Sequence, residues 1–418
     1  MSLSPASSRK WVYGVFVAGL VLLSLIGFNP ALLTDATSQG VSYVYDFPYA
    51  PETGLASNQL AKLKAYLPEL EDIVSALRKT TMIDQPVSAE WSASIANRTL
   101  GFQKVFVLSL PTRPDKRDSI SVQASLTEFD VTFVDGVVGS EIGDKALPYT
   151  MTGRVNELGC WRAHMNVLQM IVNQNIATAL ILEDDADWNV GLKAQLVQYA
   201  RGARYLQDVE ENAVTRSAYG DDWDMLWLGH CAAFTNHTDK RRFVIANDPT
   251  VEPVGHRHYL EEIPDMSTWD HPSNDVNDTR IVFRSAGGVC TAAQAVSLEG
   301  ARKALYAMSM TPYNNPVDWG YQNLCNNSEA HFSCISPFPT LFGTSQPAGA
   351  LNRGSDISSR DGVRPEAHSS KTAFSTRLNI ERLILGADKF KSQFPWGAGE
   401  EMTYDEITRG VGHAEVLP

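Results

Sequence analysis

The 418-residue chain has no C-x-x-C pair, no G-x-S-x-G and no H-E-x-x-H. The first absence argues against a zinc ribbon. The other two remove common nucleophile and metal signatures of hydrolases. Positive charge is scarce: 35 Lys and Arg stand against 48 Asp and Glu, a formal net charge of −13. Phosphate backbones are bound by clustered Lys and Arg, so no nucleic-acid partner is expected. Cysteine is sparse and odd in number, five in all. Cys325 and Cys334 lie close together in a polar stretch and are candidates for a disulfide. The odd count leaves at least one thiol free or bonded to another chain. No internal repeat occurs.

The first residues differ from the rest. Trp11 to Phe28 is a run of 18 residues without a charge, close to the roughly 20 needed to span a bilayer. Arg9 and Lys10 precede it, and the next basic residue is Lys62. The charge bias predicts a cytoplasmic tail (1–10), a transmembrane signal anchor (11–28), a stem (29–100) and a lumenal domain (101–418), the single-pass type II arrangement of Golgi or endoplasmic reticulum membranes. The competing reading is a cleaved signal peptide, whose apolar core is usually shorter. Four N-x-S/T sequons, at Asn97, Asn236, Asn277 and Asn326, fall on the lumenal side. In the stem, Leu60, Leu63, Leu67, Leu70 and Val74 mark an amphipathic helix over about 57–79.

From Lys104 the pattern is α/β. Strands are expected at 105–110, 131–134, 177–182, 225–228 and 292–296. Helices are expected from about 112, over 159–173, 192–206 and 298–308. The stretch 235–280 and the tail from Pro347 to about Leu378 look irregular. Alternation of strands and helices predicts a mainly parallel sheet flanked by helices. Ligands of such sheets bind beyond the carboxyl ends of the strands.

One strand end stands out. The apolar Ala179-Leu180-Ile181-Leu182 runs straight into Glu183-Asp184-Asp185-Ala186-Asp187. Consecutive acids at the end of a buried strand repel one another, and a divalent cation offsets that. Carboxylates suit Mg²⁺ or Mn²⁺, which also take substrate phosphates. A solvated acidic turn is the plainer alternative. Arg113 and Arg117, at the first strand–helix junction, could meet a nucleotide phosphate or form a solvated basic turn. His164 lies on the apolar side of its helix, where it either contacts substrate or supports the acidic loop from the core. Trp227, Trp269 and Trp319 are candidates for stacking on a sugar, or simply core.

Gly159-Cys160-Trp161-Arg162-Ala163-His164 followed by Leu182-Glu183-Asp184-Asp185 resembles the lipopolysaccharide-type glycosyltransferases of family 25, which include the collagen β-galactosyltransferases. Arg113-Pro114-Asp115-Lys116-Arg117 resembles the family's N-terminal signature, with Ser109-Leu110 where Asn-Leu is usual. Ala295–Lys303, Pro316-Val317-Asp318 and Ser355-Asp356-Ile357 are similar to later elements in the same order. The resemblance implies a GT-A-like fold and an inverting transferase dependent on Mn²⁺ (or Mg²⁺). Its donor would be a nucleotide-diphospho-sugar, UDP-galactose or another UDP-hexose, and its acceptor a glycan or glycoprotein. It implies Glu183 and Asp185 as metal ligands and Asp184 as a contact to the ribose.

An inverting transferase needs a base to take the proton of the acceptor hydroxyl, on the sugar face opposite the metal. The acid triplet cannot readily supply it. Asp318 is the expected base, with helix capping or a hydrogen bond to the donor sugar as its alternative roles. Two other classes remain open on sequence grounds: a non-catalytic lumenal carbohydrate-binding protein with a degenerate transferase fold, and a metal-dependent lumenal hydrolase.

Overall fold

The computed structural model describes residues 91–418 apart from 211, 260–261, 271–277, 358–359 and 395–400. The anchor over 11–28 and the stem helix over 57–79 lie outside the described residues, as does Asn277. Among the described residues, no helix is long and apolar enough to cross a membrane.

A short helix, α1 (Trp91–Ile95), leads into β1 (Lys104–Ser109), α2 (Pro114–Leu126) and β2 (Thr132–Asp135). Then come α3 (Val155–Asn173), β3 (Thr178–Glu183), β4 (Ala186–Trp188) and α4 (Leu192–Leu206). The middle of the chain supplies β5 (Met225–Gly229), β6 (Ala232–Thr235), β7 (Arg241–Ala246), β8 (Arg280–Val289) and β9 (Ala293–Ser297). Helices α5 (Leu298–Ser309) and α6 (Val317–Asn326) precede β10 (Cys334–Phe338) and β11 (Phe342–Gln346). The remainder is short: β12 (Gly349–Ala350), β13 (Val363–Arg364), β14 (His368–Ser369), α7 (Ile380–Ile384), β15 (Lys389–Lys391), β16 (Glu401–Thr403), α8 (Tyr404–Ile407) and β17 (Val411–Val416).

The main sheet runs β17-β7-β8-β10-β5-β9-β3-β1-β2, with β6 paired to β8. It is mixed rather than mainly parallel. Only β1–β2, β1–β3 and β10–β5 pair in parallel, while β3–β9, β5–β9 and the β8 side are antiparallel. The expectation failed because hydrophobic runs carry no strand direction. What survives is a local parallel trio, β2-β1-β3, and the site is built there.

Burial on both faces explains the unbroken apolar strands. Val105 and Val107 of β1 and Leu180 and Leu182 of β3 enter one core, which α4 covers with Leu196, Tyr199 and Ala203. Phe106 and Leu108, with Ala179 and Ile181, enter the other, covered by Trp161, Met165 and Leu168 of α3 and by α5 and α6. Helix α2 starts at Pro114, whose missing N–H costs nothing in a first turn. Helix α5 is capped by the Ser297 hydroxyl, which accepts from the Gly300 amide at 3.0 Å.

Two regions expected to be irregular carry structure. β7 lies inside 235–280 and joins the sheet between β17 and β8. The tail before Leu378 returns to pair β14 with β11, and further on β17 pairs with β7. Cys325 and Cys334 form the expected disulfide. A second joins Cys231 to Cys290, and Cys160 is free.

Candidate active site

The carboxyl ends of the parallel trio open onto one cavity of about 300 Å³. Leu108 to Leu110 end β1, Gly136 to Gly139 follow β2, and Glu183 to Asp185 end β3 along its walls. The placement obeys the strand-end rule. Helix α3 approaches the β2 exit backbone to backbone: a Cβ on Gly159 would overlap the Val137 carbonyl, and one on Gly139 would overlap that of Val155. The glycine of the Gly-Cys-x-x-x-His run is therefore required for close packing.

The segment Ser355–Ile357 closes one side of the cavity. Asn156 of α3 donates to the Ile357 carbonyl at 3.1 Å. Lys116 of α2 donates to Asp184 at 2.7 Å and to Asp356 at 2.8 Å. Burial disfavours the Lys116 charge, but the carboxylates of Asp185 and Asp184 outweigh it and raise its pKa. Asp356 behaves conversely. Burial pushes it up, while Arg113 and Lys116 hold it below the usual carboxylate range.

The three acids have distinct environments. Glu183 accepts from the Thr291 hydroxyl at 2.6 Å and faces His164 Nε2 at 3.6 Å. Burial raises its pKa, yet His164 and Thr291 together bring it below the ordinary value. Asp184 pairs with Lys116. Asp185 is pushed up to about 7, first by burial and then by the neighbouring charge of Glu183. Its Oδ1 is buried with no hydrogen-bond partner, which is costly for a carboxylate. The backbone of this turn is fixed by the Ser345 amide, which donates to the Asp185 carbonyl at 2.7 Å.

A second cavity, also about 300 Å³, adjoins the first. Cys160, Glu183 and Ile357 line both. The second adds Glu157, Thr291, Asp318 and Trp319. Asp318 lies in the first turn of α6 behind Pro316. Its carboxylate accepts from the Cys290 amide and from its own helix's Trp319 amide, both at 2.9 Å. Thus Cys290 and Thr291 hold Asp318 and Glu183 from one short segment, itself tied to Cys231 by the disulfide.

The structure brings together Glu183, Asp184, Asp185 and His164 at the first cavity and Asp318 at the second. It does not bring Arg113 and Arg117 there. Arg113 is taken up by Asp115 and Asp356. Arg117 donates to the Ser109 carbonyl and to Asp135, with its guanidinium over the Phe133 ring. The cation facing the cavity is Lys116, between the two arginines in sequence. The signal for it was present, since position i+3 from Arg113 lies one turn further along the helix. Thr291 carried no signal: it follows a cysteine with no motif around it. Of the three tryptophans, Trp227 is fully buried, Trp269 is partly buried against a small apolar cluster around Val244 and Phe283, and Trp319 is 45% exposed at the second cavity.

The mixed α/β sheet thus opens its strand ends onto a carboxylate cluster at the first of two adjoining cavities. The model of glycosyltransferase family 25 (LPS biosynthesis protein) matches residues 102–319, and the chain belongs to that family. It is 26% identical over 254 residues to procollagen galactosyltransferase 1-A of Xenopus laevis, covering 56% of this chain and 34% of the relative. It is 26% identical over 223 residues to procollagen galactosyltransferase 1-B of the same organism, covering 50% and 29%. It is also 29% identical over 146 residues to the inactive glycosyltransferase 25 family member 3 of Homo sapiens, covering 31% and 22%. The matches thus span about a third or less of these relatives' own length.

Proposed function

We propose that this chain transfers a hexose, galactose in the first instance, from a UDP-sugar to a hydroxyl of a glycan or glycoprotein, with inversion at the anomeric carbon. The observation that carries the reading is the meeting of the two cavities at Glu183. One holds the acid cluster and Lys116, and the other holds Asp318 and Trp319. Donor and acceptor can therefore occupy separate spaces with the reacting atoms at a shared wall.

A divalent cation, Mn²⁺ or Mg²⁺, fits the acids. Asp185 Oδ1 is a buried oxygen with no donor, beside a second carboxylate, and hard oxygen ligands suit these ions. Glu183 and Asp185 would hold it, and when bound it would neutralise charge on a departing nucleoside diphosphate. Asp184 would face the nucleotide, oriented by Lys116. Glu183 is kept ionised by Thr291 and His164. Asp318, its two oxygens already oriented by backbone amides, would accept the proton of the attacking hydroxyl. Trp319 would wall the acceptor space.

Two disulfides within the domain support an oxidising lumen. The type II anchor over 11–28 is proposed on charge bias alone. Asn97 and Asn326 are exposed, and Asn236 is half-buried. The name of the human relative favours one further reading, a domain that binds donor without turnover.

Thermal unfolding with UDP and Mn²⁺, alone and together, tests the proposal. Joint stabilisation larger than the sum is expected, about 2.7 kcal/mol at a hundred times the dissociation constant. UDP release from UDP-galactose then separates the enzyme from a silent binder. No joint stabilisation would remove the transferase reading.

A further inference from the structure

Cys160 and His164 stand one helical turn apart on α3, so they share a face. With Glu183 they bring one sulfur, one nitrogen and one oxygen within 4.8 Å of one another. His164 is fully buried, and its Nε2 has no hydrogen-bond partner. Cys160 is the free cysteine of the chain. The transferase reading does not use the thiol, and it uses this nitrogen only as a neighbour of Glu183. Hard cations do not choose sulfur, whereas a thiolate, an imidazole and a carboxylate with a fourth position open is a Zn²⁺ donor set.

We propose that Cys160, His164 and Glu183 form a second cation site, for a thiophilic ion of the Zn²⁺ type, that competes with the hard cation for Glu183. The outer partner needed by a metal-bound imidazole is in place. His164 Nδ1 lies 3.2 Å from the Gln294 amide nitrogen, and Gln294 Oε1 is buried without a partner. Turning that amide over lets Oε1 accept from Nδ1–H and leaves the Nε2 lone pair for the ion. The thiol proton passes to solvent as the ion binds. Because Cys160 and Glu183 wall both cavities, an ion held by them blocks their junction. The competition, unlike the site itself, rests on the transferase reading.

The test uses the full chain with Co²⁺ as a visible probe for Zn²⁺. A thiolate-to-cobalt charge-transfer band should appear at one equivalent. It should be absent in Cys160→Ser, and its Co²⁺ requirement should rise about tenfold or more in His164→Ala. No band in the natural chain, or a band that survives in Cys160→Ser, overturns the site. Near-UV circular dichroism checks folding, and if His164→Ala unfolds the Cys160→Ser comparison decides. Competition is measured separately. Zn²⁺ at about ten times its dissociation constant should raise the Mn²⁺ needed for UDP-dependent stabilisation about tenfold, and should not do so in Cys160→Ser. An unmoved Mn²⁺ requirement with the cobalt band present overturns the competition alone. Absence of any UDP and Mn²⁺ stabilisation overturns the transferase reading, while the cobalt band still decides the site.

Discussion

Asp185 ends the turn after β3, and Asp187 lies two residues on, inside β4. Asp187 is fully buried and Asp185 half-buried, with its Oδ1 shut off from solvent, and the two have opposite surroundings. Asp187 accepts from Gln123 Nε2 at 2.9 Å, from the Trp188 amide at 2.8 Å and from the Ser375 hydroxyl. Burial raises its pKa, with Ser369, Ser375 and Arg377 acting against that rise. Gln123, in turn, accepts from the Arg377 guanidinium at 2.9 and 2.7 Å. This carboxylate ties α2, β4 and the returning tail together. Asp185 has one oxygen with no donor and a like charge beside it. A buried acid supplied with donors holds a fold, and one denied them is available to a ligand. The sequence Asp-Asp-Ala-Asp does not distinguish the two.

The sharpest way to break this contrast is Asp185→Asn. We expect transfer to fall about a thousandfold, about 4 kcal/mol, with stability unchanged or improved because a charge repelling Glu183 is gone. UDP release and a melting curve measure the two effects. A large loss of stability would place Asp185 with Asp187 as a structural acid. Asp187→Ala should do the reverse, costing about 3 kcal/mol in chemical denaturation by stranding Gln123, Ser375 and the Arg377 amide. A cost under about 0.5 kcal/mol would mean that the tail does not depend on this acid.

Asp318 has features of both acids, since its oxygens are partnered yet it faces a cavity. In Asp318→Asn the amide oxygen can still accept one of its two amides, so stability should change little. Turnover should fall about a hundredfold or more, with UDP affinity by calorimetry nearly intact. Near-normal turnover would make it a cap. The smallest expected effect belongs to Thr291→Val, which removes the hydroxyl donating to Glu183. Mn²⁺-dependent UDP affinity should drop about fivefold, about 1 kcal/mol. An unchanged affinity would show that His164 and Lys116 set the Glu183 charge without the hydroxyl.

Between β1 and α4 every element except the short β4 was legible because each is patterned locally. β1 and β3 are apolar on both faces, and the helices repeat buried residues at helical spacing. β7 was missed because Arg241 and Arg242 dilute its apolar run. Both arginines are partnered, Arg241 with Asp239 and Asp208, Arg242 with backbone carbonyls and over the Phe283 ring. The tail was missed because its ordering comes from partners elsewhere. Phe374 N donates to Asn189, 185 positions away, at 2.7 Å.

The sequence by itself determined the α/β character, the acids at the end of a buried strand, the candidacy of Cys325 and Cys334 for a disulfide and the family resemblance. Each is carried by short motifs or by residues near one another along the chain. The tertiary structure alone decided the mixed strand order, the choice of Lys116 over its flanking arginines, and the division of labour between Asp185 and Asp187. It also decided the junction of two cavities at Glu183. Those depend on contacts across 68 positions for Lys116 with Asp184 and 240 for Lys116 with Asp356. The charge state and availability of a buried carboxylate are set by the donors that folding brings to it, and local patterning carries no record of them.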